Sequence, residues 1–103
     1  MDFSERIKNF TPKQKVVCLF HLRRRMTQCE MYVNYWTVQA TTGAAKNRIM
    51  SRGGEPLTDD EKIKDALDTV QQHIANFTQA MDDEITLLDS FTDEEFNLLQ
   101  KLS

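Results

Sequence analysis

The chain has 103 residues, of which 40% are hydrophobic and 28% charged, and its formal net charge is −3. This composition is ordinary for a folded domain and unlike that of a disordered chain, and no apolar run approaches the roughly 18 residues that cross a membrane. Two cysteines make no disulfide framework, and the first residues lack the basic-then-apolar pattern of a secretory signal. We therefore predict one cytoplasmic domain over residues 1–103, without membrane association.

Three segments open with the same helix-start pattern: an apolar residue, a threonine and, three positions after the threonine, Glu or Gln. The threonines are Thr11, Thr58 and Thr92. In such a capping box, the two side chains accept hydrogen bonds from backbone N–H groups that the first helical turn leaves free. Together with the Gly53-Gly54 turn signal, the pattern predicts a first long helix over 11–52, a turn over 53–58, a second long helix over 59–89 and a C-terminal helix over 92–102.

Two features of the first long helix indicate where it could depart from regular structure. Residues 32–38 are rich in β-branched and aromatic side chains, which suit a strand, and Gly43 follows two threonines. A lone strand among helices has no pairing partner within the chain. We therefore predict a helix, with a kink or break allowed near Gly43. The N-terminal segment 1–10 is predicted to hold a further short helix, capped by Ser4.

Apolar residues recur alternately three and four positions apart along both long helices, as in a coiled coil. Folding the chain back at Gly53-Gly54 makes an antiparallel hairpin whose seam buries these residues. The predicted seam residues are Leu19, Leu22, Met26, Val33 and Trp36 on the first helix, and Ile63, Leu67, Val70, Ile74, Phe77, Met81 and Leu88 on the second. The predicted fold is therefore all-α, a long antiparallel helical hairpin with short N- and C-terminal helices.

Two stretches without a charged side chain, residues 31–45 and 69–81, fall side by side in this hairpin. Exposed helix faces normally carry charges, so an uncharged band indicates a surface that another molecule covers. The residues of this band on the side away from the seam are Met31, Tyr35, Val38 and Ala45. We predict that they make the chain a homodimer, or a higher symmetric oligomer, that completes a helical bundle.

Charge divides unevenly along the chain, with a net charge of +7 over residues 1–54 and −10 over residues 55–103. A basic half can indicate nucleic-acid binding, and Arg23, Arg24 and Arg25 are the candidate basic contacts. The hairpin places this triplet opposite acidic residues of the second helix, so we favour internal neutralisation. The candidate acidic contacts lie on the outer ridge of the second helix at Glu61, Asp68, Asp82 and Asp89.

No set of catalytic, cofactor-binding or metal-ligating residues stands out in the sequence. His21 and His73 form no zinc-type cluster, and Cys18 and Cys29 lie too far apart on one helix to bridge. We therefore predict a non-enzymatic helical interaction protein, an adaptor, assembly component or inhibitor-type regulator. It is expected to have a protein partner and no cofactor, metal or small-molecule substrate. The alternative is a nucleic-acid-binding regulator that uses the basic half.

Overall fold

The computed structural model describes residues 2–49 and 51–102, and these are predominantly helical. The elements in chain order are α1 (Phe3–Ile7), α2 (Pro12–Thr41), a 3₁₀ helix (Ala44–Asn47), β1 (Ser51–Arg52), β2 (Glu55–Pro56), α3 (Asp59–Asp89) and α4 (Asp93–Leu102). The range of α3 is the one expected from the sequence for the second long helix.

All three predicted capping boxes are confirmed by reciprocal hydrogen bonds. At the start of α3, Glu61 N donates to Thr58 Oγ1 over 3.2 Å and Thr58 N donates to Glu61 Oε1 over 3.0 Å. The same pair of bonds joins Thr11 with Gln14 and Thr92 with Glu95. Each box satisfies two backbone donors that have no partner inside the helix.

Ser4 was predicted to cap the short N-terminal helix, but the helix begins at Phe3, two residues before a Ser4 cap would place its start. Asp2 is the capping residue, since its Oδ1 accepts a hydrogen bond from Glu5 N over 2.9 Å, and α1 spans Phe3–Ile7. The Ser4 hydroxyl instead donates to the same Asp2 oxygen. A carboxylate at the cap has the further advantage of lying at the positive end of the helix dipole.

The first long helix ends at Thr41, so the prediction that it continues to residue 52 is wrong. The hydroxyls of Thr41 and Thr42 donate to the carbonyls of Thr37 and Val38. Each hydroxyl thus competes with a backbone N–H for a carbonyl that accepts helical hydrogen bonds. Gly43 then takes the left-handed conformation, with φ at 76°. The allowance for a break at this glycine is thus the correct alternative, and residues 32–38 are helical.

A short β-hairpin with two residues in each strand lies in the region that the sequence predicted as helix and turn. Ser51 pairs with Pro56 and Arg52 pairs with Glu55 in antiparallel register. Gly53 and Gly54 both have positive φ, 59° and 83°, as a tight turn of the mirror-image type I class requires. Glycine is the residue that adopts this conformation without steric cost.

Contacts within the chain group the residues into two compact units, whereas the sequence suggested one domain. Unit 1 comprises Met1–Thr27 with Thr78–Ser103, and unit 2 comprises Gln28–Phe77. In each unit the contacts between α2 and α3 fit an antiparallel hairpin. The core of unit 1 brings Leu19 and Leu22 against Ala80 and Leu87, with Ile7 of α1 and Phe91 completing it.

The buried cluster of unit 2 is made of much smaller side chains. It consists of Ala40, Ala45 and Ala66, with the half-buried Trp36 packed against them. Three methyl groups release far less apolar surface from water than the leucines and aromatic rings of unit 1. Cys29, Leu57 and Val70 are also buried in unit 2. The two units therefore differ in the size of the side chains in their buried clusters.

The buried line of α3 lies one position away from the predicted seam at several turns. Leu67, Ile74 and Met81 were expected in the seam, yet they are 49%, 43% and 42% exposed. Ala66, Ala80 and Leu87 are buried instead. Of the other predicted seam residues, the buried ones are Leu19, Leu22 and Val70, and the half-buried ones are Met26, Val33, Trp36, Ile63, Phe77 and Leu88. At Ala66 and Ala80 the buried side chain is a single methyl group, and small side chains at a helix contact let the two backbones approach closely.

We expect the capping box of α3 to contribute measurably to stability. Thr58→Ala removes the oxygen that accepts from Glu61 N, and the loss of such a cap costs about 1 kcal/mol. The melting temperature should therefore fall by about 4–8 °C, as expected for a domain of this size. Thr58→Ser keeps the oxygen and serves as the control; equal melting temperatures for the Ala and Ser variants would contradict the assignment.

Candidate functional site

Most of the predicted self-association face is exposed on α2 of unit 2. Met31 is 65% exposed, Tyr35 is 51% exposed and Val38 is 54% exposed. These three residues recur at spacings of four and three, so they form one stripe along the helix. No charged side chain occurs from Met31 to Ala45, and the stripe is therefore a continuous uncharged surface, which we call the α2 face.

Ala45 does not belong to the α2 face. It is 1% exposed and packs with Ala40 and Ala66 in the core of unit 2. The reason is the break at Gly43: a continuous helix would carry residue 45 around the cylinder with Val38, whereas the 3₁₀ helix after the glycine turns it inward. The predicted face is corrected to Met31, Tyr35 and Val38.

Aromatic rings flank the α2 face. The ring of Tyr35 meets Trp36 edge-on at a centroid distance of 5.2 Å, and Tyr32, itself 51% exposed, stacks on His73 at 4.9 Å. Met31, Tyr32, Tyr35 and Trp36 line a shallow hollow. The guanidinium of Arg48 lies 4.3 Å from the centroid of the Trp36 ring, a cation–π arrangement. The face thus includes a concavity lined by aromatic rings.

The arginine triplet is only partly neutralised from within. Arg23 Nε lies 3.7 Å from Glu84 Oε2, and this is the triplet's one ion pair in the part of the chain that the structure describes. The distance exceeds that of a hydrogen bond, and such an exposed pair contributes at most about 1 kcal/mol. Arg24 and Arg25 are exposed.

The four candidate acidic contacts on the outer ridge of α3 are all exposed. They are Glu61, Asp68, Asp82 and Asp89. Glu61 is already engaged, because it accepts the hydrogen bond from Thr58 N in the capping box. The remaining three carboxylates are exposed to solvent.

One buried ion pair was not foreseen from the sequence. Lys15 and Glu95 are 9% and 6% exposed, and Lys15 Nζ donates to Glu95 Oε1 over 3.0 Å and to the carbonyl of Ser90 over 2.8 Å. Glu95 Oε1 also accepts from Thr92 N in the capping box. The capping pattern identified Glu95, but no local signal connects it with a lysine eighty positions earlier.

The capping bond explains why the pKa of Glu95 is lowered. The hydrogen bond from Thr92 N is the largest cause; burial acts in the opposite direction, and Lys15 adds to the lowering by hydrogen bonding and by its charge. Burial raises the pKa of the Cys18 thiol, with the Asp83 carboxylate acting in the same direction. Cys18 is therefore held as a neutral thiol.

Over residues 2–49 and 51–102, there is no group of three or more His, Cys, Asp or Glu side chains placed to hold a metal ion. Among the same residues, no helix has the length and apolar character to span a membrane. Comparison of the chain with protein families, with curated proteins and with solved structures gave no match.

The buried pair should show strong coupling between Lys15 and Glu95. Lys15→Met leaves the Glu95 carboxylate buried without its cation, which costs about 3 kcal/mol in the free energy of unfolding. Adding Glu95→Gln should restore part of this loss, because the amide oxygen still accepts from Thr92 N and carries no charge. Denaturant unfolding of the two single variants and the double variant measures the coupling; strictly additive losses would contradict it.

Acid should weaken the fold through Glu95. Since the folded-state pKa lies below the ordinary value of 4.5, the unfolded chain binds more protons at intermediate acidity. This contribution to stability is fully present above 4.5 and is lost as the pH falls through the folded-state pKa. Thermal unfolding of wild type and Glu95→Gln from about pH 7 to about pH 3 tests this. The variant should lose less stability over the acid range, and parallel curves would rule out the assignment.

Proposed function

We propose that this protein is a non-enzymatic interaction module that self-associates through the α2 face. The observation that carries the proposal is the exposure of large apolar residues on α2 in unit 2. Met31, Tyr35 and Val38 lie at least half in solvent. Side chains of this size are normally the ones a fold buries. The unit buries a cluster of three alanines, and its other buried apolar side chains include Cys29, Leu57 and Val70.

The energetics favour a cover for this surface. Fully burying one large apolar side chain contributes about 1.5–3 kcal/mol, and the α2 face holds three such residues with Tyr32 beside them. No charge within residues 31–45 must be desolvated when the face is covered. Contiguous apolar surface of this kind marks interaction sites in monomeric proteins.

A second copy of the chain is the partner that best suits the face. A two-fold contact places the same surface on both sides, so like charges would oppose each other wherever the face carried them. The α2 face carries none. In a two-fold contact, the exposed apolar residues of each copy would cover those of the other, including the hollow lined by Met31, Tyr32, Tyr35 and Trp36.

Roles as an adaptor, assembly component or inhibitor-type regulator in the cytoplasm accord with this proposal. The dimer would bind a further macromolecule with surfaces that the contact leaves free. The candidate contacts for a basic partner are the exposed carboxylates, which are Asp82 and Asp89 in unit 1 and Asp68 in unit 2.

Nucleic-acid binding by the basic half ranks second. Two of its candidate contacts, Arg24 and Arg25, are exposed, but successive residues on a helix point about 100° apart and do not form one patch. Lys15 and Arg23 are engaged with carboxylates. The basic residues of this half are therefore dispersed, and a phosphate-binding surface would rest on few of them.

The self-association proposal predicts a mass of 24.0 kDa at micromolar concentration, twice the 12.0 kDa of one chain. Tyr35→Glu with Val38→Glu should split the dimer, because an unpaired carboxylate buried in the contact costs several kcal/mol. Both side chains are exposed in the single chain, so the helix should keep its structure. Light scattering after size-exclusion chromatography measures the mass, and circular dichroism checks the fold.

A matched control adds the same two charges elsewhere in unit 2. Gln72→Glu with Ala75→Glu alters exposed residues of α3 and should leave the dimer intact. A monomeric wild type would refute self-association. A dimer that both pairs of substitutions leave unchanged would refute the α2 face as its contact.

A further inference from the structure

Two neighbouring hollows lie beside α1 and the first turns of α2 in unit 1. The larger has a volume of about 490 Å³ and the smaller about 250 Å³. Phe10, Cys18 and His21 line both of them. We call the combined concavity the α1–α2 groove. Its size falls within the range of small-molecule sites, about 300–1,000 Å³.

The larger hollow is mainly apolar. Phe10, Val17 and Cys18 line it, and Val17 is 46% exposed. Cys18 adds to the apolar character, because a neutral thiol behaves as a small hydrophobe and burial raises the pKa of this one further. An aliphatic chain lying on these residues would remove their apolar surface from water.

The smaller hollow carries an excess of positive charge. Arg6 and Arg25 line it, and Lys13 lies at the larger hollow next to it. The one carboxylate that lines the groove is Asp83, which already accepts a hydrogen bond from Gln79 Nε2 over 3.0 Å. The three basic side chains carry three positive charges and Asp83 carries one negative charge, so the groove is net positive. Arginine is the side chain best suited to a carboxylate, which it can bind with two parallel hydrogen bonds.

We propose that the α1–α2 groove binds a free monocarboxylate with a linear aliphatic chain. The chain lies in the larger hollow against Phe10, Val17 and Cys18, and the carboxylate lies in the smaller hollow between Arg6 and Arg25. The molecule is a ligand and undergoes no reaction. This site is independent of the α2 face, since all of its residues belong to unit 1.

The test uses sodium decanoate below its micelle concentration, titrated into the full chain and followed by amide chemical shifts and by calorimetry. Wild type should bind decanoate saturably, with shifts in residues 10–21. Arg6→Gln with Arg25→Gln should weaken binding roughly tenfold or more, as the loss of hydrogen bonds to a charged group implies. Val17→Glu should weaken it as well, because it places a carboxylate where the chain lies.

Two controls separate this site from general stickiness. Lys8→Gln with Arg24→Gln removes two exposed cations that do not line the groove, and it should bind decanoate as wild type does. Decyltrimethylammonium has the same chain with the opposite charge and should not bind. Circular dichroism shows whether each variant is folded. The proposal is overturned by an absence of saturable binding, by equal affinity for the cationic probe, or by unchanged affinity in folded Arg6→Gln, Arg25→Gln protein.

Discussion

The fold of unit 1 depends on the hydrogen bonds that the buried Lys15 ammonium donates. One Nζ satisfies the Ser90 carbonyl just beyond the end of α3 and the Glu95 carboxylate in the first turn of α4. It therefore fixes the residues that connect these two helices to the start of α2. Phe91 lies within this connection, buried in the core and in contact with Phe96. A buried charge is costly unless all of its hydrogen-bond partners are in place. The position of α4 is therefore set by the partners that Lys15 requires.

Unit 2 is built on a different physical basis. Its buried cluster is made of alanines, and Cys29, Leu57 and Val70 are buried elsewhere in the unit. Polar and ring contacts lie beside the cluster: Lys62 Nζ donates to the Lys46 carbonyl in the 3₁₀ helix, and the Arg48 guanidinium lies over Trp36. Contacts of this kind hold a local geometry but remove little apolar surface from water. The large apolar side chains of the α2 face are meanwhile exposed.

Sequence patterns predicted the parts of this structure whose causes are local. The three capping boxes involve residues three positions apart, and the structure has all of them. The end of α2 was harder to predict, because a threonine or a glycine can each occur within a helix. The α3 seam was displaced because the three-and-four spacing indicated Leu67 and Ile74, whereas the buried positions include Ala66. The Lys15–Glu95 pair had no local signature, and of the predicted face only Ala45 was displaced, by the break at Gly43.

The alanine contact in unit 2 has a consequence for how the chain can vary. In unit 1, whose core holds leucines and a phenylalanine, shortening a side chain opens a cavity. At Ala40, Ala45 and Ala66 there is almost nothing to shorten, and each added methylene would push the packed backbones apart. Natural variants should therefore meet opposite restrictions at different buried positions: Leu19, Leu22 and Leu87 must stay large, whereas the alanines of the unit 2 cluster must stay small.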